Sequence, residues 1–131
     1  MKTILRRGAL TAVATALAGS ALAVAPAPAY AATCRDGIAS INGARLEFEI
    51  CVDAIGTGLR YFLEDTDKDG RRAEVYLITP ATSAFGVELD EAARGVGDWA
   101  DGEWYGLFKS GVYLKLCTSD ANTDRRCGSR L

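Results

Sequence analysis

The chain has 131 residues, with 15 Lys and Arg against 17 Asp and Glu, a formal charge of −2 and no histidine. The missing imidazole excludes serine or cysteine nucleophiles activated by histidine, and with them the usual zinc sites. Its length suits one domain with a modest core.

Taken in chain order, Lys2, Arg6 and Arg7 form a positive head, Gly8 to Ala25 are apolar and alanine-rich, and Pro26 to Ala31 end in small residues around Ala29-Tyr30-Ala31. This pattern predicts a secretory signal peptide over 1–31 and a mature, secreted domain over 32–131. The alternative is an uncleaved anchor, since about 18 apolar residues match a bilayer span. Alanine, glycine, threonine and serine give that stretch little drive to stay in hydrocarbon, so cleavage is preferred. The Gly8-Ala9-Leu10 that follows the arginine pair favours general secretion over the twin-arginine route. The head carries three basic residues and no acid, which leaves 12 basic against 17 acidic groups in the remainder. Such a balance argues against nucleic acid or, for the mature form, membrane as a partner and suits a cationic one.

Period-two alternation follows. From Arg45 to Asp53, Leu46, Phe48, Ile50 and Val52 alternate with Arg45, Glu47, Glu49, Cys51 and Asp53, which predicts a half-buried strand. Ile38–Ile41 before Asn42-Gly43 predicts an edge strand, because Asn-Gly is a strong hairpin signal. Leu59–Glu64 and Arg72–Thr79 also alternate, and the polar turn between them predicts a hairpin. Phe62, Tyr76 and Ile78 make its second face partly apolar, which places it inside the assembly. Pro80 ends the run. Phe85–Leu89 reads as a shorter strand, and Asp90–Gly102, with three glycines, as an irregular connection with one helical turn at Asp90–Arg94. Glu103–Phe108 and Val112–Thr118 are two more predicted strands. The sum is an all-β domain, a small antiparallel β-sandwich or partly closed barrel.

In an oxidising compartment Cys34, Cys51, Cys117 and Cys127 are a disulfide framework rather than metal ligands or redox thiols. Cys51 and Cys117 fall out of phase with the core positions of their strands, so a bridge buried between two sheets does not fit. The local pairing Cys34–Cys51 and Cys117–Cys127 is preferred over the two other connectivities.

Asp65, Asp67, Asp69 and Gly70 copy the first half of an EF-hand loop. The copy stops there, since the twelfth position is Tyr76 and the flanks alternate as strands. Turn chemistry is the preferred explanation, with calcium as the alternative and no other cofactor expected. Trp99, Trp104 and Tyr105 stand near Asp98, Asp101 and Glu103, a mixture that stacks on sugars or anchors proteins, although tryptophan on such a strand also fills cores. No catalytic constellation or phosphate loop is present, and a noncatalytic protein is expected.

Three stretches, the strand end Glu49-Ile50-Cys51-Val52-Asp53, the run Asp65 to Val75, and Val112 to Cys117 with Cys127-Gly128-Ser129, resemble small exported proteins of actinobacteria that have no assigned activity. The resemblance implies secretion, a disulfide-closed β fold and no catalysis. The resulting expectation is an extracellular binding module acting on a protein or glycan, with inhibition of a secreted hydrolase as its most concrete form. The loops Ile55–Gly58, Gly95–Gly102 and Ser119–Arg126 are its candidate contacts. The alternatives are a calcium-stabilised or wall-associated structural protein and a carbohydrate-binding module.

Overall fold

The computed structural model describes residues 31–131; the predicted signal peptide falls almost wholly on residues outside that range. Eight strands follow one another: β1 (Thr33–Ile41), β2 (Ala44–Val52), β3 (Thr57–Asp65), β4 (Arg72–Ile78), β5 (Val87–Ala92), β6 (Trp99–Gly106), β7 (Tyr113–Asp120) and β8 (Thr123–Arg130). They form two antiparallel four-stranded sheets, ordered β1-β2-β3-β6 and β5-β4-β7-β8. Among the described residues no helix is long and apolar enough to cross a membrane.

The sheets face each other as a sandwich because alternate residues on each strand are apolar. Leu46 and Ile50 of β2, Leu59 and Leu63 of β3, Val75 and Leu77 of β4, and Leu114 and Leu116 of β7 fill the interior. A one-residue slip would turn any of these strands inside out, so the alternation also sets register.

Three inward positions on two outer strands are glycines covered by aromatic rings. Tyr61 lies directly opposite Gly102, and a Cβ there would stand 2.4 Å from its hydroxyl. On Gly106 a Cβ would meet the Trp104 ring at 2.2 Å, and on Gly37 the Phe48 ring at 3.1 Å. The missing side chains are what let these rings lie flat on the sheet.

Both bridges form as the local pairing requires. Cys34 opposes Cys51 in the β1–β2 register and Cys117 opposes Cys127 in β7–β8, with Cα separations of 4.0 and 4.1 Å. Each joins neighbouring strands of one sheet and ties an edge strand to an inner one. The turn between β7 and β8 is only Ala121-Asn122, both at positive φ (44° and 68°), the backbone that matches strand twist in a two-residue hairpin.

Three expectations need correction. Leu59–Glu64 and Arg72–Thr79 are strands but not a hairpin: β3 pairs with β2 and β6, β4 with β5 and β7, and Thr66–Arg71 crosses between sheets. Both strands are central and the crossover lets each find two partners, but only β4 is buried on both sides; the second face of β3, with Phe62, is open instead of lying inside the assembly. Asp90–Ala92 belong to β5 instead of a helical turn, and β6 begins at Trp99 inside the stretch read as irregular. Cys117 does point away from the core, yet it is fully buried, for a reason found on the outer face of its sheet.

Removing the exposed bridge tests its share in this arrangement. The Cys34→Ser/Cys51→Ser double variant is expected to lose about 3 kcal/mol of unfolding free energy by the chain-entropy estimate. Urea denaturation followed by tryptophan fluorescence measures it, and an unchanged midpoint would contradict the assignment of β1 as a stapled edge.

Candidate functional site

The outer face of the β1-β2-β3-β6 sheet is open, and strand register organises it into four rows. Asp36, Glu49, Arg60 and Glu103 make one row, Ile38, Glu47, Phe62 and Asp101 the next. Beyond the second lie Ser40, Arg45, Glu64 and Trp99, and beyond the first the Cys34–Cys51 bridge, Gly58 and Tyr105. Six carboxylates thus share a face with two arginines. Arg45 pairs with Glu47 at 2.5 Å and Glu64 at 3.8 Å, and Arg60 with Glu103 at 3.2 Å. Asp36, Glu49 and Asp101 have no ion pair among the described residues.

Apolar groups interrupt this acidic surface. Trp99 is 55% exposed and stacks on Phe62 with ring centroids 5.7 Å apart, while Ile38 is 63% exposed. Open grooves run between the rows, one past Ile38, Phe62 and Asp101, another past Arg60, Glu103 and Tyr105. The Tyr105 hydroxyl donates to Asp53 Oδ1 at 3.4 Å, and the same oxygen accepts the Ile55 and Gly56 amides at 2.7 and 2.8 Å. Those two amide bonds, from Gly56 and Ile55, hold the Asp53 carboxyl below the usual carboxylate range.

The predicted aromatic trio is divided. Trp104 opposes Leu59 and turns inward against the core, whereas Trp99 and Tyr105 point outward at opposite ends of β6. Six residues of strand put about 20 Å between them, so they do not make one stacking platform. Trp99 instead pairs with Phe62, whose apolar character pointed, by sequence alone, to burial inside the assembly and here serves an open face.

Asp65 ends β3 in the core-facing phase and is 1% exposed. Its Oδ1 accepts the Asp67 amide at 3.2 Å, and its main chain bonds the amide of Gly97 and the carbonyl of Asp98. Burial pushes its carboxyl up, and the charges of Asp69, Asp98 and Asp67 push the same way against the Asp67 amide. Asp67 and Asp69 are on the crossover after it, where Oδ1 of Asp69 accepts the Arg71 amide at 2.8 Å. Arg71 itself reaches away, to Thr118 and Asp124, and fastens the crossover to the β7–β8 hairpin.

A third polar cluster lies on the outer face of the other sheet. Glu74 is fully buried there, with Arg125 Nε 2.8 Å from Oε2, Arg72 Nε 3.2 Å from Oε1, and the Ser119 hydroxyl donating to Oε1. The Arg125 guanidinium also lies over the Tyr76 and Phe85 rings at 5.2 and 5.6 Å. This lid explains the burial of Cys117, Tyr76 and Ser119. Glu88 and Glu91 approach Glu74 closely enough for a metal triad, but both Glu74 oxygens are already engaged by cations and hydroxyls. Cys34, Glu49 and Cys51 also converge, and there the sulfurs are spent in the bridge. Arginine lids of this kind are long-range in sequence, and strand periodicity carries no sign of them.

Compared with known proteins, the chain matches no family model, no curated protein and no solved structure.

The Glu74 lid predicts acid sensitivity. Burial alone would raise the Glu74 carboxyl, but hydrogen bonds from Arg125 and Ser119 and the Arg125 charge outweigh it, so the group sits below its ordinary value of 4.5. A depressed folded pKa contributes stability above the unfolded value that is lost as pH falls through the folded one. Glu74→Gln should therefore cost about 3 kcal/mol at pH 7 by leaving the part-buried Arg125 without its carboxylate, and the gap to the parent protein should narrow steadily as pH falls below 4.5. Urea unfolding at pH 7, 5 and 3 measures both, and a gap as large at pH 3 as at pH 7 would refute the assignment.

Proposed function

We propose that this protein is a noncatalytic extracellular binding module that grips a protein partner of basic surface with the outer face of its β1-β2-β3-β6 sheet. Inhibition of a secreted hydrolase is the most concrete form of this activity. The observation that carries the reading is the mixed composition of that face: Asp36, Glu49 and Asp101 without ion pairs, beside exposed Ile38 and the Trp99–Phe62 stack. Unpaired carboxylates steer a cationic partner, and a partly exposed aromatic supplies the apolar anchor around which interface energy concentrates.

The support beneath the face favours this use. Three antiparallel pairings among four strands and the Cys34–Cys51 bridge hold its rows in register, so little conformational freedom remains to be lost on docking. Export belongs to the same reading, supported by the Lys2, Arg6 and Arg7 head, the apolar run after it and the two bridges.

A panel of purified extracellular proteases and glycosidases, ranked by isoelectric point, tests the proposal. Basic members should bind at micromolar protein or better, with at least one inhibited, and binding should weaken steeply as sodium chloride rises. Trp99→Ala is expected to reduce affinity by tenfold or more, and Asp101→Lys to slow association. Uniformly unchanged rates and no binding across the basic members would reject it.

A further inference from the structure

Asp65 Oδ2 is a buried carboxylate oxygen without a hydrogen-bond partner among the described residues. Buried polar atoms are almost always paired, and an ionised one is costly to leave alone. Glu74 shows the opposite arrangement in the same molecule, with its two oxygens held by Arg72, Arg125, Ser119 and Tyr76. No lysine or arginine forms an ion pair with Asp65 among the described residues.

The charged groups around Asp65 do not balance it. Asp67 and Asp69 on the crossover and Asp98 on the β5–β6 connection are acids, and all three charges disfavour a fourth. Lys68 and Arg71 of the crossover and Arg94 of the connection line the cleft beside it, which suits no metal cation. Arg71 is turned to Thr118 and Asp124, Arg94 is fixed on Asp98, and Lys68 makes no ion pair among the described residues. The β1–β2 turn, which accepts the Thr66 amide through the Gly43 carbonyl at 3.2 Å, brings only Asn42 and Gly43. Arg45 of β2 is bound to Glu47 and Glu64 on the outer face, and Arg72 of β4 to Glu74 and to Glu91 of β5. A proton is the counter-charge that remains.

We propose that Asp65 is a proton-operated latch between the β3–β4 crossover and the β5–β6 connection, closed while its carboxyl is protonated and loosened when the proton leaves for solvent. In the closed form the Asp65 amide donates to the Asp98 carbonyl at 2.9 Å, the Gly97 amide to the Asp65 carbonyl at 2.8 Å, and the Asp67 amide to Asp65 Oδ1 at 3.2 Å. Three bonds that join the two segments or shape the crossover thus centre on one residue. Ionisation puts a charge in a sealed position facing three like charges, and carrying Asp65 outward to water relieves it at the expense of those bonds. Both segments have room to move, since Gly70, Gly95 and Gly97 stand at positive φ and a Cβ on any of them would meet nothing. The connection runs directly into Trp99 at the start of β6, so the latch reaches the edge of the open face.

Burial, with the charges of Asp69, Asp98 and Asp67, raises the folded Asp65 carboxyl above its ordinary 3.8. The latch therefore contributes stability that is complete below pH 3.8 and is lost as pH rises through the folded value. Melting of the oxidised protein and of Asp65→Asn from pH 4 to pH 8 tests it. Asparagine has no proton to lose, so the midpoint of the variant should gain on that of the parent by about 5 °C or more across the range. Amide-exchange protection of Thr66–Arg71 and Gly95–Asp98 in the parent should fall about tenfold from pH 4 to pH 8 relative to β4 and β7, and in Asp65→Asn it should hold. If Asp65→Asn does not fold, the parent decides alone, through these protection factors and the carbon-13 shift of the Asp65 carboxyl, which should titrate above 3.8. A midpoint difference that is the same at every pH, a carboxyl that titrates at or below 3.8, or protection that holds in both segments while the carboxyl ionises would each overturn the latch.

Discussion

The contact on which this molecule depends is the single layer of aliphatic side chains between β2 and β3 on one side and β4 and β7 on the other. With about a hundred residues in two sheets, only these four strands are flanked on both edges, and they supply most of the interior. Burial of that size leaves a small margin of stability. The outer strands β1 and β8 contribute little to the core and are bonded covalently to the strands beside them. The bridges therefore sit where apolar contact is weakest.

The same economy shapes the two outer faces in opposite ways. On the β5-β4-β7-β8 sheet a lid of arginine, tyrosine and phenylalanine closes over Glu74, so β4 is buried on both sides and its sheet behaves as if it had a second, polar core. The phenol of Tyr76 is pushed well above its ordinary range, first by burial and then by the Glu74 and Glu88 charges. On the β1-β2-β3-β6 sheet nothing covers the face, and its carboxylates and rings meet solvent. The proposed binding role falls on the open face because Asp36, Glu49 and Asp101 there lack ion pairs among the described residues, and a structural role falls to the lid because the Glu74 oxygens are all engaged.

Tyr61 links the two halves in a different manner. Its ring covers Gly102 within one sheet and its hydroxyl donates to Asp90 Oδ2 of the other at 3.2 Å. Burial, with Asp90 beside it, pushes this phenol up to about 12. Arg35 makes a comparable link from β1 to the Val112 carbonyl at 2.6 Å. These polar ties join the sheets near their margins, where the aliphatic layer thins.

Much of this was legible from residue order alone, because it rests on local rules. Alternation over Arg45–Asp53 located β2 and its buried side, Asn42-Gly43 marked the first turn, and the phases of Cys51 and Cys117 pointed to bridges within a sheet. The glycines of Gly95–Gly102 misled, since Gly102 is a strand position emptied for the Tyr61 ring, and a single chain does not reveal which ring will cover it. What tertiary structure alone decided was partnership: that β3 and β4 part into different sheets, that Asp65 ends in the interior, and that Arg125 returns across 51 residues to Glu74. Side-chain direction follows from the strand repeat of two residues, whereas pairing between distant strands follows from which arrangement brings the apolar faces of β2, β3, β4 and β7 together, a property of the whole packed layer.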